Sequence, residues 1–153
     1  MVWLWITVIV LALVGSLTWI LPSPMERRQG KRRAEALALG LKVRILTLES
    51  WASERLEIDR LPQYILWCQS KPRPFTLWRV ADREEPWASP PTAHSWDLVT
   101  GALATVLAEL PPEILGVGAE GSIVWLAWDD AGPGPEPEAI RGLLRDIAAI
   151  LET

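Results

Sequence analysis

The chain has 153 residues, half of them hydrophobic, and a formal net charge of −4, which leaves room for one domain and its core beyond any terminal anchor. A single His and a single Cys exclude a structural zinc site of the usual nitrogen–sulfur type and any internal disulfide. Charge is unevenly placed: Glu26 to Arg83 carries 13 basic and 7 acidic residues, Glu84 to Thr153 carries 2 and 12. A basic excess gathered largely in one short stretch argues against a nucleic-acid face.

Residues 2–21, VWLWITVIVLALVGSLTWIL, contain no charge. Twenty residues at 1.5 Å each match a hydrocarbon core of about 30 Å, so residues 1–22 predict a transmembrane helix. Trp3 and Trp5 at one end and Trp19 at the other fit interfacial aromatic belts. No basic residue precedes the run and TWILPSP is not a small-residue cleavage site, so an anchor is favoured over a cleaved signal peptide. Arg27, Arg28, Lys31, Arg32 and Arg33 follow it closely, and the positive-inside rule places the N-terminus outside and the C-terminal domain in the cytoplasm of a bacterial inner membrane. Anionic lipid headgroups are the expected contact of this basic stretch.

Ser23-Pro24-Met25-Glu26 reads as a helix start, with Ser as N-cap and Glu three residues later. That juxtamembrane helix spans 23–40 and stops at Gly40. KVRILTL (42–48) predicts a strand, while ESWASERLEIDRL is ambiguous between a short helix and a crossover. QYILWC (63–68) and PFTLWRVA (74–81) predict two strands around a Pro-rich turn. Ser95 to Leu110 has helical spacing and ends at Pro111-Pro112. ILGVG and SIVWLAW form a hairpin around AEG, and a last helix begins near Pro137. The fold class is therefore α+β: an N-terminal transmembrane helix, then a small domain (41–153) with a mostly antiparallel sheet and about three helices, in the order α-β-β-β-α-β-β-α.

Gly116-Val117-Gly118-Ala119-Glu120-Gly121 is a literal G-x-G-x-x-G, yet SIVWLAW follows where a phosphate-binding motif needs a helix. Hairpin glycines are the better account. His94-Ser95-Trp96-Asp97 puts a base, a hydroxyl and a carboxylate side by side, but a nucleophilic triad converges from separated segments. Asp129, Asp130, Glu136 and Glu138 lack the spacing of a calcium loop and read as a solvated acidic segment. Cys68 in YILWC reads as a small buried hydrophobe. Trp125 and Trp128 fall on opposite faces of one strand, which marks them as a possible partner surface. Trp67 and Trp78 are candidates for a cross-strand pair.

Pro22-Ser23-Pro24, Arg27-Arg28, Lys31-Arg32-Arg33 and Leu39-Gly40-Leu41-Lys42-Val43 follow the apolar run. In this the first third of the chain resembles uncharacterised single-span inner-membrane proteins of proteobacteria. It is more distantly similar to the YajC-type accessory subunit of the preprotein translocase, which also follows its span with Pro, a basic helix and a small β-rich piece. Where that family continues with a Gly-rich turn, TLESWASERL stands here, and no functional residue carries over. The expected function is a non-enzymatic interaction or accessory module of an inner-membrane assembly, with no cofactor, no metal and no nucleic acid. Its expected partners are the lipid bilayer and another membrane protein. The alternative is a membrane-tethered enzyme or small-ligand binder using a Trp-lined pocket near His94, with Ser95 or Asp97 involved.

Overall fold

The computed structural model describes residues 1–80, 86–92 and 101–152, without the side chains of 18–20. Among the described residues the elements are α1 (Val2–Ile20), α2 (Pro24–Ala38), β1 (Lys42–Thr47), α3 (Ser50–Leu56), β2 (Arg60–Trp67), β3 (Phe75–Arg79), β4 (Trp87–Ala88), α4 (Ala102–Glu109), β5 (Ile114–Glu120), β6 (Ile123–Trp128) and α5 (Pro137–Leu151). The strands form one sheet in the order β1-β2-β6-β5-β3-β4, antiparallel at every junction. The ambiguous segment after β1 is α3, and Trp87–Ala88 adds a short edge strand.

The expected transmembrane helix is not supported. Among the described residues no helix is long and apolar enough to cross a membrane. The single-pass inner-membrane placement, with an outside N-terminus and a cytoplasmic domain, loses its basis with the span. So does the belt and topology role given to Trp3, Trp5, Trp19 and the five basic residues.

Serine, proline and glutamate start α2 as their chemistry dictates. Glu26 N–H donates to Ser23 Oγ at 3.2 Å, and Ser23 N–H donates to Glu26 Oε2 at 2.6 Å. These satisfy otherwise orphaned donors reciprocally. The helix ends one residue before Leu39, and Gly40 takes φ +81°, the left-handed turn that glycine accepts without a Cβ clash. In α5, Ile140, Leu144, Ile147 and Ala148 are buried, a helical stripe laid on the sheet. Each fully buried aliphatic side chain there contributes about 1.5–3 kcal/mol.

The sheet is buried on both faces, with a different core on each. Tyr64, Leu77, Val117, Leu126 and Trp128 face α4 and α5. Leu61, Ile65, Trp78, Trp125 and Ala127 face the opposite way, with α3 over one end. Strand alternation makes this division. A register shift between Ile114 and Gly116 turns Gly116 and Gly118 to the second face. There the glycines lie directly opposite tryptophans: Gly116 pairs Trp78 and Gly118 pairs Trp125. A Cβ at Gly116 would sit 2.4 Å from Trp78 Cζ3, so each indole lies flat where a side chain would have stood. Trp78 and Trp125 meet with ring centroids 5.7 Å apart at 45°, a tilted contact typical of aromatic pairs. Trp67 and Trp78, expected as a cross-strand pair, are separated by β6 and β5.

The Gly118→Ala variant should lose about 1–3 kcal/mol of stability through overpacking, since its Cβ would stand 2.5 Å from Trp125 Cζ2 and 2.6 Å from the Phe75 carbonyl oxygen. Gly30→Ala in α2, where a Cβ meets open space, should gain about 0.5–1 kcal/mol. Denaturant midpoints of the two variants against the parent measure both signs.

Candidate functional site

Two places concentrate polar chemistry: the junction of α2 with the end of β6, and the Trp-floored second face of the sheet. Asp130 is the second residue after β6 and is 0% exposed. A buried carboxylate requires partners for its charge and lone pairs, and α2 supplies them. Arg33 Nε donates to Asp130 Oδ2 at 2.7 Å and Arg33 Nη2 to Oδ1 at 3.0 Å, the two-pronged geometry that suits guanidinium and carboxylate. Gln29 Nε2 reaches Oδ1 at 3.3 Å, and Tyr64 Oη donates to Oδ2 at 3.1 Å. Arg32 Nη1 adds bonds to the carbonyls of Asp130 (3.1 Å) and Gly132 (2.7 Å) and lies 5.4 Å from the Trp128 ring centroid.

The electrostatics follow from that packing. The hydrogen bond to Asp130 raises the Arg33 pKa further, against an opposing loss of hydration. Burial first, then the Asp130 charge, pushes the Tyr64 phenol well above its ordinary value, because both penalise a second anion. Asp130 was expected in a solvated acidic segment; Asp129, Glu136 and Glu138 are exposed as expected, and Asp130 alone of the four is buried. The sequence signal was a cluster of arginines on a helix whose other face enters the core. It shows that a counter-charge is needed without showing which one.

Arg32 and Arg33 are thus half-buried structural contacts, whereas Arg27, Arg28 and Lys31 are exposed. Lys31 pairs at 3.7 Å with Glu35 one turn on, an exposed pair of small consequence. Trp3 and Trp5 are exposed, and the Trp19 side chain lies outside the described residues. Trp125 (4%) and Trp128 (0%) are buried, which corrects their assignment as a partner surface: each packs into the core on its own side of the sheet. Trp128 is closed in by Gly134, where a Cβ would lie 2.3 Å from Cζ3. Among the described residues of the domain the exposed tryptophan is Trp67, at 65%. It sits at the end of β2, where strand parity faces it outward past the last packed residue.

On the second face a cavity of about 170 Å³ is lined by Arg44, Leu48, Gln63, Thr76, Trp78 and Trp125, among others. Arg44 Nε donates to the Oε1 of Gln63, and Gln63 is buried. The glycines of the G-x-G-x-x-G string are accounted for here: two admit indoles, and Gly121 takes φ +58° in the hairpin turn. A strand follows them, so no helix N-terminus is present to meet a phosphate.

Cys68 is half-buried, and burial followed by the nearby Glu152 carboxylate raises its thiol, which lowers the reactive thiolate fraction. Among the described residues no group of three or more His, Cys, Asp and Glu is placed to hold a metal ion. His94, Ser95, Trp96 and Asp97 lie outside the described residues. Comparison with protein-family models, curated proteins and solved structures finds no match for this chain. None of the three therefore bears on the YajC-type resemblance.

Asp130→Asn should cost about 3 kcal/mol, the lower end of the range for breaking a buried ion pair, because the Arg33 side chain keeps 34% exposure. Tyr64 is the sole tyrosine, so phenolate absorbance reports it alone. Its folded pKa is raised. Stability from this group is therefore complete below about pH 10 and falls as pH rises further, where the unfolded chain releases the proton first. Alkaline unfolding of the parent should be steeper than that of Tyr64→Phe, with phenolate absorbance appearing together with unfolding.

Proposed function

We propose that this protein is a non-catalytic interaction module that presents an apolar helix, α1, to another protein from a rigidly fastened α+β domain. One observation carries this reading. The large apolar side chains of α1 from Val2 to Leu17 are between 46% and 81% exposed, and they occupy every side of the helix. A helix apolar all round belongs in a buried setting, and this chain's own domain leaves it bare. Burial in an apolar groove of a partner would remove that surface from water at about 25 cal/mol per Å², the helix-in-groove mode of recognition.

The local chemistry of α2 supports a role in transmitting position. Its capping box starts it within three residues of α1, and the Arg33–Asp130 and Arg32–Gly132 bonds fasten it to the domain. Within α1, Thr7 Oγ1 donates to the Trp3 carbonyl at 2.9 Å and Ser16 Oγ to the Leu13 carbonyl at 2.8 Å. The hydroxyls are thereby satisfied inside the helix and need nothing from the groove.

The cavity over Trp78 and Trp125 favours a second reading, a small-ligand site. Its two indoles and the Arg44–Gln63 pair join an aromatic floor to a polar wall, the usual make-up of a ligand pocket. Its volume of about 170 Å³ is below the usual pocket range of roughly 300–1,000 Å³, which places it second.

A photo-crosslinking side chain at Ile9 or Leu13 in the full chain should yield one dominant protein adduct in the source cell, and Leu13→Glu should abolish the adduct made from Ile9. A diffuse set of adducts unaffected by Leu13→Glu would refute the first reading. The second predicts a saturable change in tryptophan emission on ligand addition that Trp125→Phe removes.

A further inference from the structure

We infer that the free edge of β1 pairs with the β1 of a second copy of this chain, antiparallel and centred on Ile45, to continue the sheet across a two-fold axis. The inference is independent of α1 and of whatever covers it.

Ladder parity shows which backbone groups are available. Leu48 N–H donates to the Asp59 carbonyl at 3.0 Å, and that pair continues the β1–β2 register of Lys42↔Ile65 through Thr47↔Arg60. In an antiparallel pair, hydrogen-bonded and non-hydrogen-bonded positions alternate. Lys42, Arg44 and Leu46 therefore bond to β2, while Val43, Ile45 and Thr47 turn both N–H and C=O to the open side. The same parity holds across β2: Cys68 N–H donates to the Ser122 carbonyl at 2.8 Å. That directs the missing N–H of Pro62 toward β6, beyond the last ladder pair, Gln63↔Ala127. β1 is an edge strand in the sheet order, and Ile45 is 51% exposed. Among the described residues nothing pairs with these outward groups, and an apolar side chain beside unpaired backbone groups is a template for another strand.

Self-complementarity selects a second copy of β1 as the occupant. Centred on Ile45, the two strands place Ile45 against Ile45 and Val43 against Thr47 on one face. On the other face Arg44 lies against Leu46 and Lys42 against Leu48. The outward N–H and C=O groups of Val43, Ile45 and Thr47 then all find partners, and no like charges stand directly opposed. Centring on Arg44 would oppose two guanidiniums at the closest cross-strand distance, which is destabilising. Centring on Leu46 would shorten the overlap to Ile45–Thr47. The basic side chains of β1 thus do not merely blunt the edge; they discriminate between registers. Two six-residue strands bury less than the roughly 1,200 Å² of a standard stable interface, so the pair is concentration-dependent.

The test uses the full chain with Cys68→Ser to remove the native thiol. In an antiparallel hydrogen-bonded pair the Cα atoms stand about 5.5 Å apart, within disulfide reach. Under a mild oxidant, Ile45→Cys should crosslink to itself about tenfold faster than Arg44→Cys or Leu46→Cys, because only position 45 meets its own copy within disulfide geometry. Adding Thr47→Pro should abolish the Ile45→Cys crosslink, since it deletes an outward N–H, while leaving the circular-dichroism spectrum and denaturant midpoint unchanged. Equal rates at the three positions, as association through α1 would give, overturn the inference. Faster reaction at Arg44→Cys or Leu46→Cys, or an Ile45→Cys crosslink that survives Thr47→Pro, does so as well.

Discussion

A carboxylate with no exposure to water cannot stay charged without partners, and Asp130 sets the terms on which α2 meets the sheet. Arg33 contributes the opposite charge, Gln29 and Tyr64 contribute donors, and Arg32 ties the following carbonyls. Because the ligands come from two turns of α2 and from β2, the carboxylate triangulates the helix against the sheet. Hydrophobic contacts alone would allow α2 to slide along the apolar surface, since they are non-directional. The two-pronged guanidinium contact fixes both position and rotation.

The second constraint is the exchange of side chains for rings on the far face. Two strand glycines weaken β5 intrinsically, as glycine does in any strand. The loss is offset where Trp78 and Trp125 fill the vacated space from neighbouring strands, an arrangement in which an aromatic ring shelters a glycine. Indoles lying flat across β5 exclude water from the backbone beneath them, and among the described residues α3 packs over one end of this face.

Much of the domain was legible from local chemistry. Ser23 and Glu26 announced a helix start, Gly40 its end, and the alternation in SIVWLAW a strand. What local chemistry could not supply was pairing. Nothing in ILGVG says that its glycines face tryptophans on two different strands, because the partners are set by topology. Asp129 and Asp130 look alike in sequence, and only the direction in which β6 ends makes one solvated and the other buried. The assignment of Trp125 and Trp128 as a partner surface failed because it counted one covered face for the sheet when there are two. The transmembrane reading rested on hydropathy over residues 2–21, and among the described residues no helix meets the requirement for crossing a membrane.

Pro62 and Tyr64 have a joint consequence for how this chain finds its register. A strand pair can slip by two residues and keep every side chain on its proper face, so the hydrophobic pattern alone does not forbid such an error. Slipping β2 one way along β6 would bring the missing N–H of Pro62 opposite Leu126, inside the ladder, and delete a hydrogen bond. Slipping it the other way would displace Tyr64 by about 6.6 Å, two strand rises, and break its hydroxyl contact with Asp130. One residue that cannot donate and one that must donate thus stand two positions apart on β2 as opposing stops, and misaligned folding intermediates are penalised from both directions.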